Sequence, residues 1–142
     1  MGIAESLASA AVLTLETARK LIDAGIDEAT KQGFELAFAV VDDGGHVVAS
    51  ARMDGAPWIA PEVALGKAWT AAAYRAPSAA QGEKMRELHA FSSAISAATH
   101  GRFTPQIGGL PIMDGETVIG AMGASGGTGQ QDEDCVRAAL SA

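Results

Sequence analysis

The sequence is poor in the features that announce many protein classes. There is one cysteine, Cys135, so no intrachain disulfide can form and no multi-cysteine zinc site can be built. A reducing compartment fits such a chain best, and a cytoplasmic location is expected. Only three histidines occur, His46, His89 and His100, and none has a closely spaced partner of the kind a dedicated zinc site uses. Basic residues are also scarce. Ten Lys plus Arg stand against seventeen Asp plus Glu, a net charge of −7, with no block of like charge to track a phosphate backbone, so nucleic acid is not an expected partner. No apolar run approaches membrane-spanning length, and no membrane association is expected. The segment from Met1 to Val12 is small and apolar but lacks the basic and long apolar regions of a signal peptide. Met1-Gly2 followed by Ser6 matches a myristoylation pattern only formally.

What the chain does have is enough for one domain. Its 142 residues are 48% hydrophobic and 19% charged, which excludes intrinsic disorder and allows a filled core. Thr14 is a plausible N-cap, and Ala18, Leu21, Ile22, Gly25, Ile26 and Ala29 follow at helical spacing, predicting a helix that ends near Gly33. Leu36 to Val41 and His46 to Arg52 read as strands around the turn Asp42-Asp43-Gly44-Gly45. A Gly/Pro-containing loop, Met53 to Pro61, precedes a helix from about Glu62 to Tyr74. Ser78 is then read as the cap of one further helical stretch carrying Met85, Leu88, Ser92 and Ile95 near one face. A second hairpin is expected, Leu110 to Met113 and Thr117 to Met122 around Asp114-Gly115, with a last helix from Gln131 to Leu140. The order α-ββ-αα-ββ-α predicts an α+β fold, a single domain with a central antiparallel sheet flanked by helices. Residues 1–13 are taken as an N-terminal extension and 14–142 as the domain.

Several groups of residues have both a functional and a plain structural reading. The stretch Gly120 to Gly129 lies between a strand and a helix, where backbone N–H groups either hold an anion or simply make a tight turn. It lacks the dinucleotide fingerprint, the Walker lysine and, around Ser125, the spacing of a nucleophile elbow. Asp42 and Asp43 suit turn geometry by themselves. Arg52, Asp54 and Lys67 bring opposite charges to a loop and a helix start. They could bind a small anionic group and tune one another's proton affinity, or form a surface ion-pair network. Asp132, Glu133 and Asp134 favour the N-terminal dipole of the last helix. Trp58, Trp69, Tyr74 and Phe103 suit either a pocket wall or packing in a core or interface.

The blocks Val41-Asp42-Asp43-Gly44-Gly45-His46, Arg52-Met53-Asp54-Gly55-Ala56, Lys67-Ala68-Trp69-Thr70-Ala71, Gly108-Gly109-Leu110-Pro111-Ile112 and Gly120 to Gly127, with Asp132, together resemble the GlcG/HbpS-like family. This haem-degrading family includes the C-terminal domain of PduO-type proteins, and the likeness runs from about Leu15 to the C-terminus. The resemblance implies a homo-oligomer with ligand pockets near subunit contacts and haem as a candidate cofactor. It assigns ligand contact to Asp42, His46, Arg52, Met53, Trp58, Thr70, Gly108, Gly109, Pro111, Met122, Ser125 and Gly126. In a haem-binding reading, Trp58, Met53 and Met122 wall the ring and Arg52 or Lys67 pairs with propionates. In an enzymatic reading, Arg52 clamps a small oxo- or hydroxy-acid, the glycine-rich loop stabilises an oxyanion, and Asp54 or Lys67 moves a proton. Haem binding in some relatives uses a first-helix histidine, and this chain has none between Thr14 and Gln32. His46, or a hydroxyl or thioether group, is left as the candidate iron ligand.

Overall fold

The computed structural model describes residues 12–142. Eleven residues of the expected N-terminal extension, including the myristoylation-like segment and all but Val12 of the apolar leader, lie outside the described residues. Helix α1, Leu15–Gln32, begins where Thr14 Oγ1 accepts from the Thr17 N–H at 3.1 Å. It stops at Gly33, in the left-handed region, with the Phe34 N–H bonded back to the Ala29 carbonyl at 2.8 Å. Strands β1, Ala37–Asp42, and β2, Val47–Arg52, form the first hairpin. Helix α2, Ala60–Tyr74, carries Pro61 in its first turn, as the sequence predicts.

Beyond α2 the structure departs from the expected single helix. Two short helices replace it, α3, Ser78–Lys84, and α4, His89–Ala98. Ser78 does not cap: Pro77 occupies the cap position, and the Ser78 hydroxyl is buried, donating to the Gln106 carbonyl and accepting from the Gly109 N–H at 2.9 Å. Met85 is buried at the end of α3 whereas Leu88 is exposed, so one continuous apolar face would have required both to point inward. The chain then returns through β3, Gly109–Asp114, β4, Thr117–Ser125, and α5, Gly129–Leu140. A reciprocal pair of bonds between Thr128 and Gln131 caps α5.

The four strands run antiparallel in the order β2-β1-β4-β3. One face, with Phe38, Val40, Leu110, Ile112 and Met122, packs under Ala18, Ile22 and Ala29 of α1 and Val136 and Ala139 of α5. The other face is built from small residues: Val41 and Ala121 meet Ala68, Ala71 and Ala72 of α2. Close approach is what this face requires. A Cβ at Gly123 would run into the Ala64 carbonyl, so α2 reaches its depth only because position 123 has no side chain. That depth carries Lys67, the single charged residue between Glu62 and Arg75, into the protein interior. Among the described residues no helix is long and apolar enough to cross a membrane.

Candidate functional site

The buried end of Lys67 meets a carboxylate from the far end of the chain. Lys67 Nζ lies 3.0 Å from Asp132 Oδ2, with the two residues 4% and 1% exposed. Nζ also donates to the Ala124 carbonyl at 3.0 Å, while Asp132 Oδ1 accepts from the Gly127 N–H at 2.9 Å. Burial pushes the Asp132 carboxyl above its ordinary value, opposed by the Gly127 N–H and by Lys67. Gly108 closes over the lysine at a φ of +140°, and a Cβ there would stand 2.8 Å from Nζ. Gly109 packs on the Lys67 carbonyl. One turn further along α2, the buried Thr70 hydroxyl donates to the Gly66 carbonyl and accepts from the Thr104 N–H, both at 2.8 Å.

A cleft of about 630 Å³ opens beside this pair, lined by Thr30, Phe34, Glu35, Met53, Gly55, Pro57, Gly126, Gly127 and Gln131. It lies at the end of the sheet where Ala37 pairs with Arg52 on one side and Ser125 on the other. Met53 Sδ accepts from the Leu36 N–H at 3.3 Å, which fixes the thioether at the wall. Arg52 and Asp54 flank Met53 in the chain, Trp58 follows Pro57, and all three side chains are exposed. The Gly127 N–H is taken by Asp132, and the Thr128 N–H by Gln131 Oε1 at 3.0 Å. These two amides therefore serve the turn and the helix cap.

Other predicted residues stand elsewhere. Asp42 and His46 occupy the opposite end of β1, five residues and about 17 Å from Ala37. There Asp42 Oδ1 accepts from the Gly44 N–H at 2.9 Å and the His46 N–H at 3.0 Å, and lies 3.2 Å from His46 Nδ1. The His46 N–H is the main reason the Asp42 carboxyl falls below its ordinary value. Within one chain, His46 does not share the cleft with Met53, and Arg52, Asp54 and Trp58 stand beside the cleft rather than in its lining. Met122 is fully buried in the core between sheet and α1, so it does not wall an open pocket. Pro111 lines a separate hollow with Leu21 and Leu140. The expected surface network of Arg52, Asp54 and Lys67 does not form, because Lys67 is buried against Asp132 and among the described residues no ion pair holds Arg52 or Asp54.

The aromatic residues divide between the two readings. Phe103 is buried with its ring 5.8 Å from that of Tyr74, whereas Trp58 is 78% exposed. Cys135 is buried, and burial, with Glu28, Asp132 and Asp134 nearby, pushes its thiol up to about 11, leaving it protonated at neutral pH. No group of three or more His, Cys, Asp or Glu able to hold a metal ion exists among the described residues.

Sequence reasoning missed the partner of Lys67 and the Phe34, Glu35 and Gln131 walls. A lone lysine in an alanine-rich helix was the available signal for the pair: such a cation, if buried, requires an acid. The walls carried no comparable signal, since they meet only through the sheet.

The fold is a four-stranded antiparallel sheet between helices, with a buried lysine–aspartate pair behind a surface cleft. Residues 13–141 match the family model described as haem degrading protein HbpS-like, and the chain belongs to that family. It is 34% identical to Protein GlcG of Escherichia coli strain K12 over 114 residues, 80% of this chain and 81% of that one. Among solved structures, a double mutant of HbpS from Streptomyces reticuli superposes with a TM-score of 0.81 at 28% identity, covering 94% of this chain and 88% of the other. The PduOC:heme complex superposes with a TM-score of 0.83 at 24% identity, covering 92% and 94%, and shares the fold.

Proposed function

We propose that this chain is a self-associating, cytoplasmic binding protein whose cleft takes haem or a similar amphipathic tetrapyrrole. The observation that carries the reading is the cleft itself. Its volume of about 630 Å³ falls in the range of small-molecule sites, and Phe34, Met53 and Pro57 give it apolar wall. Exposed Arg52 supplies a cation for propionates beside that wall, and Trp58 offers a ring face. The family's haem-degrading description and the haem held by the PduOC relative support the same ligand class. The residues fit the ring better than the iron. Met53 is the one sulfur ligand in the cleft lining, no histidine lines it, and His46 could reach it only from a second copy. Lys67 is not the propionate partner, because Asp132 and Ala124 already occupy it.

Self-association is supported by α4. None of its residues is buried, it packs on no other described helix or strand, and it exposes Phe91, with Leu88 just before it. The histidine-free lining also favours a second reading, an enzyme for a small oxo- or hydroxy-acid. In that case Arg52 clamps the carboxylate and Asp54 moves the proton. Hemin titration followed by visible absorption separates the two. Haem binding predicts a saturable, shifted Soret band, weakened about three- to tenfold in Arg52→Ala by loss of a charge-assisted contact. A spectrum that tracks free hemin, with stabilisation by a small oxo- or hydroxy-acid and its turnover instead, supports the enzyme.

A further inference from the structure

The Gly126–Gly127 wall of the cleft has no side chains with which to hold itself in place. It is held from behind. Asp132 binds the Gly127 N–H through Oδ1 and Lys67 through Oδ2, and Lys67 reaches on to the Ala124 carbonyl. Two buried side chains thus tie both ends of the Ala124–Gly127 segment to α2 and α5. We infer that the Lys67–Asp132 pair positions this wall and thereby sets the cleft's affinity for its ligand without touching the ligand, an inference that rests on the cleft being the ligand site.

Energetics favour a geometric role for the pair. A buried ion pair is often no more stabilising than well-packed apolar residues of similar volume. An apolar pair would fill the space equally well, but it would offer no acceptor to Gly127 and no donor to Ala124. The freed turn contains two consecutive glycines, whose backbone has wide conformational freedom. The Thr128–Gln131 cap fixes the next amide and is independent of the pair.

Single substitutions would strand a buried charge, so the test uses two double variants that remove both charges. Lys67→Met with Asp132→Asn retains an acceptor for the Gly127 N–H; Lys67→Met with Asp132→Leu does not. Amide exchange at Gly127 and hemin affinity are read on each, with thermal unfolding to confirm the fold. The Leu variant is expected to exchange at Gly127 at least about tenfold faster, and the Asn variant to bind hemin about tenfold more tightly than the Leu variant. Equal hemin affinities, or equal Gly127 exchange, in the two folded variants would overturn the inference and leave the pair a packing feature. Failure of the wild type to take up hemin would overturn the haem reading instead. The exchange rates at Gly127 would then decide the wall's positioning by themselves.

Discussion

Asp42 and Asp132 are both carboxylates bonded to backbone N–H groups, yet their surroundings drive them in opposite directions. Asp42 is partly exposed, and the N–H groups of His46 and Gly44 favour its charged form. Its contribution is therefore complete above the ordinary carboxyl value of 3.8 and is lost as the pH falls through the lower folded value. Asp132 is raised, chiefly by burial, so its contribution is complete below 3.8 and is lost as the pH rises through the higher folded value. Asp42→Asn should cost about 0.5–1 kcal/mol at neutral pH, a modest figure for an exposed group, and the cost should shrink below about pH 4. Urea unfolding across that range checks it, and a cost independent of pH would contradict the assignment. At the buried pair, Lys67→Ala or Asp132→Ala alone should cost about 3–5 kcal/mol in denaturant unfolding, since each leaves an uncompensated interior charge. The turn role of Asp42 was legible because its partners lie within four residues. The Lys67–Asp132 contact was not, because its members are 65 positions apart in sequence and meet only after α2 and α5 have docked.

Among the elements, α1 shows how far local signals reach. Thr14 and Gly33 bound it as its sequence predicts, because both caps are made by groups within a few residues of the helix ends. The region after α2 could not be read in the same way. Ser78 looks like a cap by residue type, but tertiary packing gives its hydroxyl to Gln106 and Gly109, and the periodicity across Met85 and Leu88 continues through a break between two helices. Helix α4 is where the proposed self-association is tested: an apolar segment that finds no partner among the described residues. If α4 carries the proposed self-association, Phe91→Glu should lower the particle mass in light scattering. The monomer fold should change by less than about 0.5 kcal/mol, as for other surface substitutions away from packed features. An unchanged particle mass would remove α4 from the interface.

The whole molecule separates what the sequence resemblance had grouped. The antiparallel order β2-β1-β4-β3 places the Asp42–His46 turn at one end of the sheet and Arg52, Met53, Ser125 and Gly126 at the other. The hairpins were legible from alternating apolar runs and Asp/Gly turns. Which ends share a cleft was not, because that follows from the pairing of β1 with β4, two strands separated by the three middle helices. The central claim is that this cleft takes a tetrapyrrole, and filling the cleft tests it directly. Gly55 lines the opening, and the first atoms a Cβ there meets are those of the exposed Glu35 carboxylate. Hemin titration of the wild type and Gly55→Trp should give a saturable, shifted Soret band in the first and at least about tenfold weaker uptake in the second. Equal uptake by both proteins, or a wild-type spectrum that follows free hemin, would contradict the account.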